Sequence, residues 1–154
     1  MEEKLQQFSQ RTPLMPMLAY DNATEAIKWY RNAFAAEETA RLTSPDGKVG
    51  YAEIKFGKAV VSMSDVWPGY NHTPQSLGGS TVVLNLYVDD VDEFCARAVA
   101  AGAKQVLPVQ DQFYGDRSGR LEDPFGHVWI IATHQEDVSF DEMQKRFDAM
   151  CDEN

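Results

Sequence analysis

The chain has 154 residues, 44% hydrophobic and 11% aromatic, which suits one compact domain or two small packed modules rather than several independent domains. Acidic residues outnumber basic ones by 24 to 14, a formal charge of -10 that repels phosphate backbones and anionic bilayers and so argues against nucleic acid and membrane partners. No window has the length and apolarity of a membrane span, residues 1–12 lack the basic start and apolar run of a signal peptide, and Cys95 and Cys151 have no metal-ligand spacing. A reducing, cytoplasmic location is expected.

In chain order, residues 14–20 read as a buried strand with Pro16 at an edge position, followed at once by a helix entry at Asn22 with Glu25 three residues on. In that helix Ala23, Ala26, Ile27, Tyr30 and Phe34 share one face, while Glu25, Lys28 and Arg31 point away. Three β-like stretches follow, at about 38–43, 50–56 and 59–64, separated by turns at 44–47 and 57–58. A loop rich in turn formers, 65–79, precedes a new strand at 81–88.

From there the order restarts. A shift of 68 lays Leu18, Asp21, Glu25, Ala33 and Ala35 onto Leu86, Asp89, Glu93, Ala101 and Ala103, and the apolar face Ala23, Ala26, Ile27, Tyr30 onto Val91, Phe94, Cys95, Ala98. A shift of 69 lays Glu53, Phe56 and Gly57 onto Glu122, Phe125 and Gly126. Ser139 and Glu142 then form a capping box for a terminal helix, whose stripe of Phe140, Met143, Phe147 and Met150 is expected to pack on the body or on a second subunit. The fold class is α+β: tandem β-α-β-β-β modules at 13–65 and 80–137, a linker loop at 66–79 and a C-terminal helix at 139–151.

The repeat, with DNATEAIKWY at 21–30 and YGDRSGRLEDPFGH at 114–127, resembles the vicinal-oxygen-chelate superfamily of glyoxalase, bleomycin-resistance and dioxygenase proteins, and within it the phosphonate-operon-linked, glyoxalase-like branch. The resemblance implies that each module is a curved half-sheet of one mixed, cup-shaped β-sheet, that the ligand sits in the cup, and that the chain forms a homodimer. It also implies metal ligands on the first and fourth strands of each module. Those positions fall at about Met15, Val61 or Ser62, Val83 and Ile130, none of which suits a hard divalent ion. No metal and no other cofactor is therefore expected, and neither glyoxalase I chemistry nor extradiol cleavage is assigned, because both need the metal.

Strand alternation sends Met15, Met17, Val83, Asn85, Tyr87, Val128 and Ile130 to the cup, with Ser62 and Ser64 beside them. This lining suits a small, partly apolar ligand held by a few polar groups. The expected ligand-binding residues are Met17, Ser62, Trp67, Asn85, Tyr87, Tyr114 and Arg117. Trp67 closes over the ligand or staples its loop. Arg117 with Tyr114 holds a carboxylate or phosphonate, or else pairs with Asp116, Glu122 or Asp123 to fix the turn. Catalytic candidates are His127, Tyr114 and Arg117; against His127, the same alternation turns it to the helix-covered face with Trp129. His72 and His134 stand alone and are read as surface residues. Three functions stay open: metal-independent binding of a small molecule, a lyase- or isomerase-like enzyme using proton transfer by His127 or Tyr114 and Arg117, and a structural or interaction module.

Overall fold

The computed structural model describes residues 14–152; residues 1–12, read above as carrying no signal peptide, lie outside them. The chain divides into two compact units between Gly79 and Ser80. The first runs β1 (Met17–Tyr20), α1 (Ala23–Ala33), β2 (Glu37–Thr43), β3 (Val49–Phe56), β4 (Ala59–Asp65) and a short α2 (Pro74–Leu77). The second runs β5 (Val83–Tyr87), α3 (Val91–Ala100), β6 (Lys104–Asp111), β7 (Asp116–Glu122), β8 (Val128–His134) and α4 (Phe140–Asp152). Their four-stranded sheets have the orders β1-β4-β3-β2 and β5-β8-β7-β6, each with one parallel pair, β1/β4 and β5/β8. Among the described residues no helix is long and apolar enough to cross a membrane.

Both long helices of the repeat begin as their sequences dictate. Asn22 Oδ1 accepts from Glu25 N at 3.1 Å, and Asp90 Oδ1 accepts from Glu93 N at 3.0 Å. A second, long-range cap also recurs at the same shift of 68. Asp65 Oδ1, at the end of β4, accepts from Ala23 N at 2.6 Å, and Thr133 Oγ1, near the end of β8, accepts from Val91 N at 2.9 Å. Each fourth strand is thus tied to the first turn of its own helix. The apolar faces are buried as expected: Ala23, Ala26, Ile27, Tyr30 and Phe34 in the first unit, Val91, Phe94, Cys95 and Ala98 in the second. Burying a side chain as large as Ile27 or Phe34 contributes about 2 kcal/mol.

Three expectations are corrected. The first strand starts at Met17 rather than residue 14, since Pro16 has no N–H for the ladder; its carbonyl instead accepts from Ser62 N at 2.9 Å. The linker contains α2, capped by Thr73, whose hydroxyl accepts from Ser76 N at 3.2 Å. The match of Glu53 to Glu122 is not kept by strand pairing. Glu53 pairs with Ser62 and Arg120 with Ile130, and Ser62 and Ile130 are 68 apart, so Arg120 takes the place of Glu53. The Phe-Gly likeness lies in turns of different length, since Phe56 pairs with Ala59 whereas Glu122 pairs with Val128.

The stripe of α4 is not covered: no residue of this helix is buried, and Phe140, Phe147 and Met150 are exposed. The helix is held to its unit by Arg146, which donates to the Phe113 carbonyl at 3.0 Å and pairs with Glu136 and Glu142, and by the Phe147 ring against Phe113.

Candidate functional site

The two faces of the second sheet can be told apart by what they touch. Thr133 caps α3, and Arg117, its partner on β7, reaches Asp92 of the same helix, so these residues and Trp129, Ile131 and Leu121 line the helix side. Alternation then turns Val128, Ile130, Ala132 and His134 of β8 to the opposite, partly open side, with Asp116, Ser118, Arg120 and Glu122 of β7 and Val83, Asn85 and Tyr87 of β5; of these Ala132, Asp116 and Ser118 are buried. This agrees with the side expected for Val83, Asn85, Tyr87, Val128 and Ile130. These residues are half-buried or exposed, whereas Trp129 and Ile131 are buried.

One end of this face carries a chain of hydrogen bonds that sequence reasoning missed. The Tyr87 hydroxyl donates to Asp116 Oδ2 at 2.7 Å, Asp116 Oδ1 lies 2.9 Å from His134 Nδ1, and His134 Nε2 lies 2.7 Å from Asp137 Oδ1. Asp116 is buried at the centre. His134 is exposed, as expected, but not alone: antiparallel pairing places it directly across from Asp116. Tyr114 adjoins this group, its hydroxyl 3.5 Å from Ser118 Oγ.

The electrostatics follow from the contacts. Donation to Asp116, then burial, pushes the Tyr87 hydroxyl above its ordinary pKa, with Asn85 opposing. His134 is raised above the ordinary 6.5, first by Asp116 and then by Asp137, since both carboxylates favour the imidazolium. A raised folded-state pKa gives stabilisation that is complete below the unfolded value and lost as pH rises through the folded one. The thermal midpoint of the wild type should thus exceed that of His134→Gln most at about pH 6, with the gap shrinking towards about pH 9. A gap that widens with pH would contradict the link.

Arg117 takes neither course expected for it. Its Nε and Nη2 bind Asp92 at 2.7 and 2.9 Å, and Nη1 binds Asp111 at 3.1 Å, instead of Asp116, Glu122 or Asp123. Its fork is engaged on the helix side, so it does not share a face with Tyr87. His127 is buried beside the Asp123 turn, where Asp123 Oδ1 accepts from Phe125 N at 2.9 Å and His127 N at 3.0 Å, and Asp123 Oδ2 from Trp129 Nε1 at 2.9 Å.

In the first unit, Met17, Ser62 and Ser64 do share the face away from α1, but the serines are closed off. Both are buried; Ser62 Oγ donates to the Pro16 carbonyl at 3.1 Å, and Ser64 Oγ accepts from Asn71 at 3.0 Å. Met17 is exposed. The Trp67 loop is tied by Asn71, whose Oδ1 accepts from Trp67 N at 2.8 Å, and the Trp67 ring lies beneath Lys48. A shallow depression lined by Lys28, Arg31, Asn32, Ala35 and Ala36 lies at the end of α1, apart from every expected site residue.

The positions that would ligate a metal do not fit one. Met15 and Val61 offer no hard donor, Ser62 is engaged by Pro16, and Val83 and Ile130 are apolar. Asp65, which the longer β4 brings into a ligand-bearing strand, has both oxygens on backbone N–H groups, of Ala23 and of Val49 at 2.7 Å. Asp116, His134 and Asp137 do not converge either, since the two imidazole nitrogens point to different carboxylates. Among the described residues no three His, Cys, Asp or Glu side chains are placed to hold an ion.

Comparison with known proteins gives one consistent result. The family model described as the Glyoxalase/Bleomycin resistance protein/Dioxygenase superfamily matches residues 13–131. An uncharacterised protein of Mycobacterium bovis is 40% identical over 143 residues, covering 90% of this chain and 94% of its own. Among solved structures, TioX from Micromonospora sp. ML1 matches with a TM-score of 0.64 and 27% identity, over 83% of this chain and 100% of its own. An Arabidopsis thaliana gene product matches with a TM-score of 0.62 and 29% identity, over 79% and 98%.

Proposed function

The chain belongs to the Glyoxalase/Bleomycin resistance protein/Dioxygenase superfamily, and from that premise we propose that it binds a small, partly apolar molecule on the open face of its second sheet, without a metal. The observation that carries this reading is the set Val83, Asn85, Tyr87, Val128 and Ile130, partly exposed on the face turned away from α3. Val128 and Ile130 offer an apolar floor. Asn85 and the lone pairs of Tyr87 orient a polar group, with Tyr114 beside them.

Titration with N-phenyl-1-naphthylamine, a neutral aromatic fluorophore, tests the reading. Wild type should bind it, and Ile130→Asp, which puts a charge on the floor, should weaken binding about tenfold or more. Val99→Asp, on the exposed side of α3, should leave it unchanged. Equal binding by all three proteins would place the probe elsewhere and end this reading.

A second reading, an isomerase- or lyase-like enzyme, is favoured by the Tyr87–Asp116–His134–Asp137 chain, which ties a titratable imidazole to a hydroxyl on the ligand face. An enzyme would lose turnover in His134→Gln while retaining ligand affinity. The exposed stripe of α4 supports a homodimer, in which a second copy covers Phe140 and Phe147; light scattering at the mass of one chain would remove that expectation.

A further inference from the structure

We propose that Arg120 is a specificity-determining residue: it anchors an oxyanion, a carboxylate, phosphonate or sulfonate, carried by the apolar ligand of the second sheet. The inference rests on the binding role argued above and names the chemical class of what binds.

Arg120 lies in the middle of β7 on the open face. It pairs with Ile130 of β8, which in turn pairs with Asn85 of β5, so cation, apolar floor and amide form one row across the sheet. The other arginines of this unit are all matched to carboxylates: Arg97 to Glu93, Arg117 to Asp92 and Asp111, Arg146 to Glu136 and Glu142. Arg120 is not. Its Nε is shielded from solvent and has no hydrogen-bond partner among the described residues. A buried guanidinium N–H without an acceptor is costly, more so than a neutral one.

Two acids share this face of β7 with Arg120, Asp116 and Glu122, and neither bonds its guanidinium among the described residues. Both oxygens of Asp116 are engaged by Tyr87 and His134. Ser118, one step along the same face, is buried with its hydroxyl 3.5 Å from that of Tyr114, and brings no charge to Arg120. In the first unit the same place is taken by Glu53, which accepts from the Tyr51 hydroxyl at 2.8 Å. The sign of the charge at this place is therefore reversed between the two copies, although the chain as a whole is strongly acidic. An arginine with no ion-pair partner among the described residues, on the proposed ligand face of a protein carrying ten net negative charges, has the properties of an anchor for an anion.

The test compares two probes that differ in one group: 8-anilinonaphthalene-1-sulfonate and its neutral relative N-phenyl-1-naphthylamine. Arg120→Gln should weaken sulfonate binding about tenfold while leaving the neutral probe within about twofold. Arg120→Lys should restore part of the loss, and added salt should weaken the sulfonate probe alone. Removing an unpaired, half-buried cation should keep or raise the thermal midpoint, so folding is not at risk. Sulfonate binding unchanged in Arg120→Gln, or both probes weakened alike, overturns the anchor while the binding face stands. If the wild type binds neither probe, the binding role fails and the anchor with it.

Discussion

Replacing Gly115 with alanine is expected to destabilise the protein by about 3 kcal/mol or more, a loss readable in chemical denaturation. Two independent reasons add. Gly115 sits at φ +98, a region that a side chain makes unfavourable. Its Cα also faces the chain that crosses it after β8: an added Cβ would fall inside the Glu136 carbonyl and press on Val138. Backbone, unlike a side-chain tip, cannot rotate away. The crossing is secured by the Gly115 carbonyl, which accepts from Gln135 N at 3.0 Å and Glu136 N at 2.9 Å. Because Asp116 and His134 flank this crossing, the substitution should also break their hydrogen bond. A Gly115→Ala protein with wild-type stability would mean that the crossing is not as described.

Asp65→Ala should cost about 3 kcal/mol as well, for a different reason. The carboxylate is buried and accepts from Ala23 N at 2.6 Å and Val49 N at 2.7 Å, so one side chain joins the start of α1 to the start of β3. Alanine strands both N–H groups without acceptors, each at roughly 1–3 kcal/mol. Thr133→Ala, at the same place in the second unit, removes a neutral hydroxyl that accepts from Val91 N and donates to the Val88 carbonyl, and should cost less, about 1–2 kcal/mol. Equal losses in the two variants would show that a carboxylate holding two N–H groups adds nothing over a hydroxyl.

What could be read from the sequence was what local spacing determines. The faces of α1 and α3 follow from contacts three and four residues apart, and the Asn22 cap from a side chain reaching three residues ahead; the matching Asp90 cap of α3 appears only in the structure. Duplication was legible because those patterns recur at one shift. Alternation also put Asn85, Tyr87 and Ile130 on the correct side of their strands.

What depended on register was not legible. Asp116 meets His134 only because five residues separate Glu122 from Val128, and the Phe-Gly resemblance between turns suggested a different alignment. The same error hid Arg120, which stands opposite Ile130 rather than in the motif's densest polar cluster. Arg117 looked available because its partners, Asp92 on α3 and Asp111 on β6, are distant in sequence or lie beyond a loop. Ser62 and Ser64 looked like polar handles since alternation predicts side but not burial, which here comes with the Pro16 carbonyl and Asn71.

Binding on the proposed ligand face is expected to need no metal. The most direct measurement is elemental analysis of protein purified without chelators, paired with N-phenyl-1-naphthylamine titration before and after exhaustive chelation. Far less than one divalent ion per chain and identical binding curves are expected. A stoichiometric divalent ion whose removal abolishes binding would contradict this expectation.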